Sequence, residues 1–113
     1  MTSDLSELLA GKAGMSKSEI IHYLAQKTGL TKLETETMVE GFLGTIQAVL
    51  MLGKKVELRG FGTFSVRTRQ PREARNPATQ ETVQLDRRFV PAFKPSKTLK
   101  SVVDGALGKK SSS

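Results

Sequence analysis

The chain has 113 residues, enough for one small domain, and it contains no cysteine and a single histidine, His22. That composition excludes disulfides, thiolate zinc sites, cysteine nucleophiles and a histidine metal cluster within one chain, and no cofactor is expected. The formal net charge of +7 points to a polyanionic partner. No apolar run approaches the roughly 18 residues of a membrane span, and Asp4 and Glu7 stand where a secretory signal would be apolar. A cytoplasmic protein without a membrane partner is expected.

The charge is unevenly placed. Residues 1–53 hold four Lys/Arg against six Asp/Glu, whereas residues 54–103 hold twelve against four. A solvated surface mixes its signs, so the first half is expected to build a body and the second half to meet the partner.

In residues 1–14, Leu5, Leu8 and Leu9 share one helical face, with Asp4 as a candidate cap and Gly11 and Gly14 as breaks. Two readings stay open here: a mobile tail, or a short docking helix. Ser16 to Glu19 is a capping box opening a helix through Ile20, Ile21 and Leu24, which Gly29 stops. Thr31 to Glu34 is a second capping box. It opens a longer helix with Val39, Phe42, Leu43, Ile46, Val49 and Leu50 at spacings of three and four, ending near Gly53. Two helices joined by so short a turn form an αα-hairpin. A helix-turn-helix reader of DNA would need polar groove-facing residues at the start of its second helix, and Glu34 and Glu36 there would repel phosphate. The hairpin therefore reads as core, and His22 as a helix residue without a catalytic partner.

Val56 and Leu58 alternate with Glu57 and Arg59, as a half-buried strand does. Gly60-Phe-Gly-Thr-Phe64 follows, with glycines suited to a tight turn or a close backbone approach, and Phe61 and Phe64 as core. It lacks the Lys-Ser/Thr ending of a phosphate-binding P-loop. Ser65 to Glu73 reads as an outgoing strand that places Arg67 and Arg69 on one face. The chain turns around Ala74 to Gln80 and returns through Thr82 to Leu85 and on to Phe93. Arg72, Arg75, Arg87 and Arg88 add to the charge, and Pro77 sits near the tip. An arm of about ten residues reaches some 30 Å, close to one helical turn of DNA, roughly 34 Å. Ser96 caps a last, short helix carrying Leu99, Val102 and Val103, with Lys94, Lys97 and Lys100 along its exposed side. Gly105 and Gly108 are expected to end it, leaving residues 105–113 as a disordered basic tail.

Without the tails and the arm, about 65 residues remain for a core, which is marginal alone. The long helix is apolar over a wide face, so an intertwined dimer is expected to join two half-cores and present two arms.

Gly60-Phe-Gly-Thr-Phe64, Arg75-Asn-Pro77 and Val90-Pro-Ala-Phe-Lys-Pro95 with Leu99-Lys100 resemble, in order and spacing, the bacterial histone-like HU/IHF family, and more closely HU. The resemblance covers residues 15–104, with 1–14 and 105–113 as extensions. It implies an α+β fold: an intertwined dimer with a helical base, a three-stranded antiparallel saddle sheet, β-ribbon arms over about 67–89, and a short C-terminal helix. Val39, Phe42, Leu43, Ile46, Phe61, Phe64 and Phe93 would form the dimer core. The implied partner is double-stranded DNA, bound by a nucleoid-associated homodimer, with a heterodimer as the alternative. Pro77 would wedge between base pairs with Arg75 and Asn76 beside it in the minor groove, and Arg67, Arg69, Arg72, Arg87, Arg88, Lys94, Lys97 and Lys100 would meet phosphates. The function expected is non-enzymatic bending and compaction with little sequence preference; the alternatives are a site-specific bender of the IHF kind and an RNA-binding protein. The family's tip usually has glycine where Ala74 and Gln80 stand, and both bear on how that turn closes.

Overall fold

The computed structural model describes residues 2–111, an α+β chain. Residues up to Gly44 form one unit and those from Thr45 onward a second, the division falling within the long helix α3.

The first unit is helical, with α1 at Thr2–Leu8, α2 at Lys17–Thr28 and the leading turns of α3, Lys32–Met51. Both predicted capping boxes form. The Ser16 hydroxyl accepts from the Glu19 N–H at 3.2 Å while the Glu19 carboxylate accepts from the Ser16 N–H at 3.1 Å. Thr31 and Glu34 repeat the exchange at 3.1 and 2.9 Å. The backbone donor of each cap residue is the main cause that holds both carboxyls below the ordinary glutamate value; at Glu19 the Lys12 ammonium and then the Ser16 hydroxyl add to this, and at Glu34 the Thr31 hydroxyl does. Gly29 closes α2 at φ 79°, a left-handed cap that side chains disfavour, and donates to Ala25 O at 3.1 Å. Ile21 is buried, as is Thr35, whose hydroxyl donates to Thr31 O at 2.9 Å.

Within residues 1–14, Thr2–Leu8 is helical. Asp4 lies in its first turn and pairs with Lys27 on α2, and Lys12 pairs with Glu19 at 3.2 Å.

The second unit continues α3 and then forms β1 (Val56–Leu58), β2 (Gly62–Arg69), β3 (Arg72–Arg75), β4 (Thr82–Leu85), β5 (Arg88–Pro95) and α4 (Lys97–Ser111). β1, β2 and β5 make a three-stranded antiparallel sheet in the order β1-β2-β5. Phe64 sits opposite Phe93 with ring centroids 4.8 Å apart, and Phe61 lies 5.6 Å from the same ring. Gly62 is buried because the return strand passes over it. A Cβ there would stand 2.6 Å from both Lys94 O and the Phe93 ring. Ser96 N donates to Phe61 O at 2.9 Å, and the Ser96 hydroxyl caps α4 by accepting from Leu99 N at 3.0 Å.

Two expectations are corrected. The outgoing strand is not continuous to Glu73: pairing stops after Arg69 and resumes at Arg72, because Pro71 has no N–H to donate. The last helix does not end at Gly105. It continues through Gly105 and Gly108 to Ser111, so residues 105–111 are helical rather than a disordered tail; residues 112–113 lie outside the described ones. Interior glycine costs a helix about 1 kcal/mol against alanine but leaves its hydrogen bonds intact, unlike proline.

The residues expected to form a dimer core divide by exposure within the single chain. Ile46 is buried, Val39 and Phe64 are half-buried, and Phe42, Leu43, Phe61 and Phe93 are exposed.

The two kinds of glycine predict opposite outcomes. Gly62→Ala should destabilise the fold by about 1–3 kcal/mol through overpacking against backbone. Gly105→Ala, with nothing within 4 Å of the added carbon, should stabilise it by about 1 kcal/mol. Thermal unfolding of the two variants checks the contrast.

Candidate nucleic-acid interface

Pairing between β2 and β5 sorts side chains onto two faces. Directly opposed residues point the same way and neighbours alternate. One face therefore carries Phe64, Val66 and Thr68 with Phe93, Pro91 and Phe89; the other carries Thr63, Ser65, Arg67 and Arg69 with Lys94, Ala92, Val90 and Arg88. Arg69 stands directly opposite Arg88. Like charges so placed are unfavourable in a free ribbon, and a bound anion removes the penalty.

Past the interruption, Arg72 pairs with Leu85, Glu73 with Gln84, Ala74 with Val83 and Arg75 with Thr82. The offset between strands is the same on both sides of Gln70-Pro71 and Asp86-Arg87. Alternation thus puts Arg75 on the side of Arg67, Arg69 and Arg88, and puts Arg72 on the other side with Ala74, Val83 and Leu85. Arg87 falls within the interruption. The sequence-predicted phosphate set is therefore not one surface.

Lys94, Lys97 and Lys100 come together along a groove beside β1 and the first turn of α4. It is also lined by Arg59, Gly60, Gly62 and Thr63, with Glu57 as its one carboxylate. Arg59 was not among the expected site residues. Its signal in the sequence is weak: a charge alternating with Leu58 reads as the solvent side of any strand.

The electrostatics of the two units differ. In the first unit, Lys12, Lys17 and Lys27 are each held by a carboxylate: Glu19, Glu40 at 2.5 Å, and Asp4. The hydrogen bond to Glu40 also raises the Lys17 pKa. Among the described residues of the second unit, none of the ribbon arginines and none of Lys94, Lys97 and Lys100 forms an ion pair. Exposed pairs contribute at most about 1 kcal/mol each to stability, so the difference bears mainly on which cations stay available to a partner.

The tip is a closed loop between β3 and β4. Asn76 N donates to Glu81 O at 2.8 Å, Gln80 N to Asn76 O at 2.7 Å, and Ala78 N to Asn76 Oδ1 at 2.9 Å. Pro77 begins the turn, where its fixed φ suits the chain and its missing N–H leaves no donor unmet. The two departures from the family's tip behave differently. Ala74 sits in a regular strand pair and needs no special backbone, while Gln80 takes φ 64°, the left-handed region.

Residues 15–104 match the family model described as "Bacterial DNA-binding protein". The chain is 46% identical over 88 residues to DNA-binding protein HU of Lactococcus lactis, covering 78% of this chain and 97% of that protein. It is 43% identical over 94 residues to integration host factor subunit beta of Vibrio atlanticus, covering 82% and 100%. Among solved structures, the Anabaena HU–DNA cocrystal structure matches with a TM-score of 0.73 and 37% identity, covering 79% of this chain and 97% of that one.

Left-handed backbone costs a non-glycine residue about 1–2 kcal/mol. Gln80→Gly should therefore tighten the tip, seen as slower hydrogen exchange of the Asn76 amide; unchanged exchange would mean the turn stores no strain at position 80.

Proposed function

The chain belongs to the HU/IHF family of bacterial DNA-binding proteins, nearer to HU, and on that premise we propose that it bends and compacts duplex DNA with little sequence preference. It is not an enzyme. Two arms grip the minor groove and the body takes up the flanking phosphates. The observation that carries this reading is the ribbon itself: arginines without ion-pair partners on one face, ending in an exposed proline held in a closed turn. The minor groove offers a degenerate hydrogen-bond pattern, so arms lying in it respond to shape and flexibility rather than base identity. Pro77 is the wedge that unstacks a base step, Arg75 accompanies it, and Arg67, Arg69 and Arg88 follow the phosphates toward the body. Lys94, Lys97 and Lys100, joined by Arg59, continue that track. Arg72 and Arg87 are assigned a lesser share because alternation and the strand interruption separate them from it. The relative crystallised as an HU–DNA complex supports DNA as the partner. A nucleoid-associated protein of the bacterial cytoplasm is the corresponding location.

The working unit is a homodimer. Phe42, Leu43, Phe61 and Phe93 are 40–54% exposed in one protomer, and covering the remainder contributes roughly 1 kcal/mol apiece. Eight such side chains give on the order of 8 kcal/mol, which falls within the association cost of about 4–15 kcal/mol. A stable dimer therefore also covers neighbours such as Met38, Met51 and Leu52, all exposed here. The unfolding midpoint should accordingly rise with protein concentration; a midpoint independent of concentration would argue for a monomer.

Pro77→Ala should lower the bend, measured by energy transfer between end-labelled duplexes, while affinity falls less than about tenfold, or 1.4 kcal/mol. Wild-type affinity should drop on the order of 10³-fold or more between 50 and 200 mM salt through counterion release. An unchanged bend removes the wedge assignment, and a flat salt response removes the phosphate track.

A further inference from the structure

Pro77 can act as a wedge only if the turn beneath it holds its ring outward, and Asn76 is bonded in a way that does this. We propose that Asn76 is a positioning residue for Pro77 rather than a reader of bases, an inference that rests on the function proposed above. Asn76 contributes three atoms to the turn. Its N–H donates to Glu81 O at 2.8 Å, its carbonyl accepts from Gln80 N at 2.7 Å, and its side-chain Oδ1 accepts from Ala78 N at 2.9 Å.

The first two bonds close the loop at its base, so the segment between them has few conformations left. The third is an Asx-turn, in which a side-chain carbonyl replaces the backbone acceptor that a tight turn otherwise uses. Because a peptide N–H needs an acceptor, the atom facing Ala78 is the oxygen and not the amide nitrogen. The turn spans Pro77, so the bond from Ala78 back to Asn76 sets the direction of the proline ring. Rotating the side chain out to reach a base edge would release the Ala78 N–H as water is being excluded from the groove, where an unmatched donor is most costly. The same closure requires Gln80 to take φ 64°, so the loop keeps a strained residue at its far end rather than opening.

The test uses the full-length protein with Asn76→Ala and Asn76→Ser, each alone and combined with Pro77→Ala. Serine supplies a turn acceptor through its hydroxyl but lacks the amide nitrogen and is shorter by one bond. At saturating protein, Asn76→Ala should lose most of the bend measured by energy transfer, and Asn76→Ser should restore it. In the Pro77→Ala background, Asn76→Ala should change the bend no further, since a residue acting through the proline has nothing left to position. Hydrogen exchange of the Ala78 amide in the DNA-free protein should quicken by about tenfold or more in Asn76→Ala and return toward wild type in Asn76→Ser. A serine variant as defective as the alanine one, or a further loss of bend in the double variant, would overturn the proposal in favour of a direct groove contact. Unchanged Ala78 exchange in Asn76→Ala would overturn it without reference to DNA. A wild-type protein that fails to bend DNA would instead defeat the functional reading, and the exchange result would still report on the turn.

Discussion

The antiparallel pairing of β2 with β5, held in one register from Gly62 opposite Pro95 to Arg69 opposite Arg88, is the constraint on which the second unit depends. A slip of one residue would exchange the faces, moving Phe64 away from Phe93 and turning the arginines toward the apolar side. The register is anchored at its root by backbone contact. Gly62 lets β5 pass without a side chain in the way, and Ser96 N reaches back to Phe61 O, fixing where α4 begins. The same offset continues past Pro71 into β3 and β4, so the tip inherits its orientation from the sheet. Aromatic cluster, arginine face and proline turn are consequences of one alignment.

That alignment carries an electrostatic cost. Arg69 and Arg88 face each other, and the groove by α4 collects Arg59 and three lysines around a single glutamate. The helical unit differs: among its described residues three of four lysines, Lys12, Lys17 and Lys27, are matched by a carboxylate, Lys32 being the exception. A protein selected only for stability would pair its charges throughout. On the function proposed above, the unpaired cations are the surface that phosphates would meet, and stability given up in the free protein would return as affinity when phosphates replace counterions. The interruption at Pro71 also leaves the ribbon with fewer ladder bonds, consistent with an arm ordered more by its ligand than by its own sheet.

What the chain determined by itself was whatever depends on near neighbours. The pairs Ser16 with Glu19 and Thr31 with Glu34 lie three residues apart, so both helix starts were legible before any packing was known. Alternation identified Val56 and Leu58 as inward residues of a strand, and the joint pattern of Gly60-Phe-Gly, Arg75-Asn-Pro and Val90 to Pro95 identified the family. Gly105 and Gly108 misled because a glycine only biases a helix to end, by an amount that the rest of α4 overcomes.

Tertiary structure alone decided the relations between distant residues. Alternation along one strand already joins Arg67 to Arg69, but that Arg88 of the return strand shares their face follows from register, a property of two strands rather than one. Arg72 and Arg75 look alike in sequence yet alternate to opposite sides. Arg59 joined the lysines only when the turn after β1 met the junction of β5 and α4, where Ser96 N donates to Phe61 O. Ala74 and Gln80 looked equally suspect as replacements for glycine. The strand pairing relieved the first of any demand, while the closing bond from Gln80 to Asn76 imposed a left-handed backbone on the second. The reason is general: local rules act through a few bonds, whereas charge, strain and exposure depend on what the fold brings alongside.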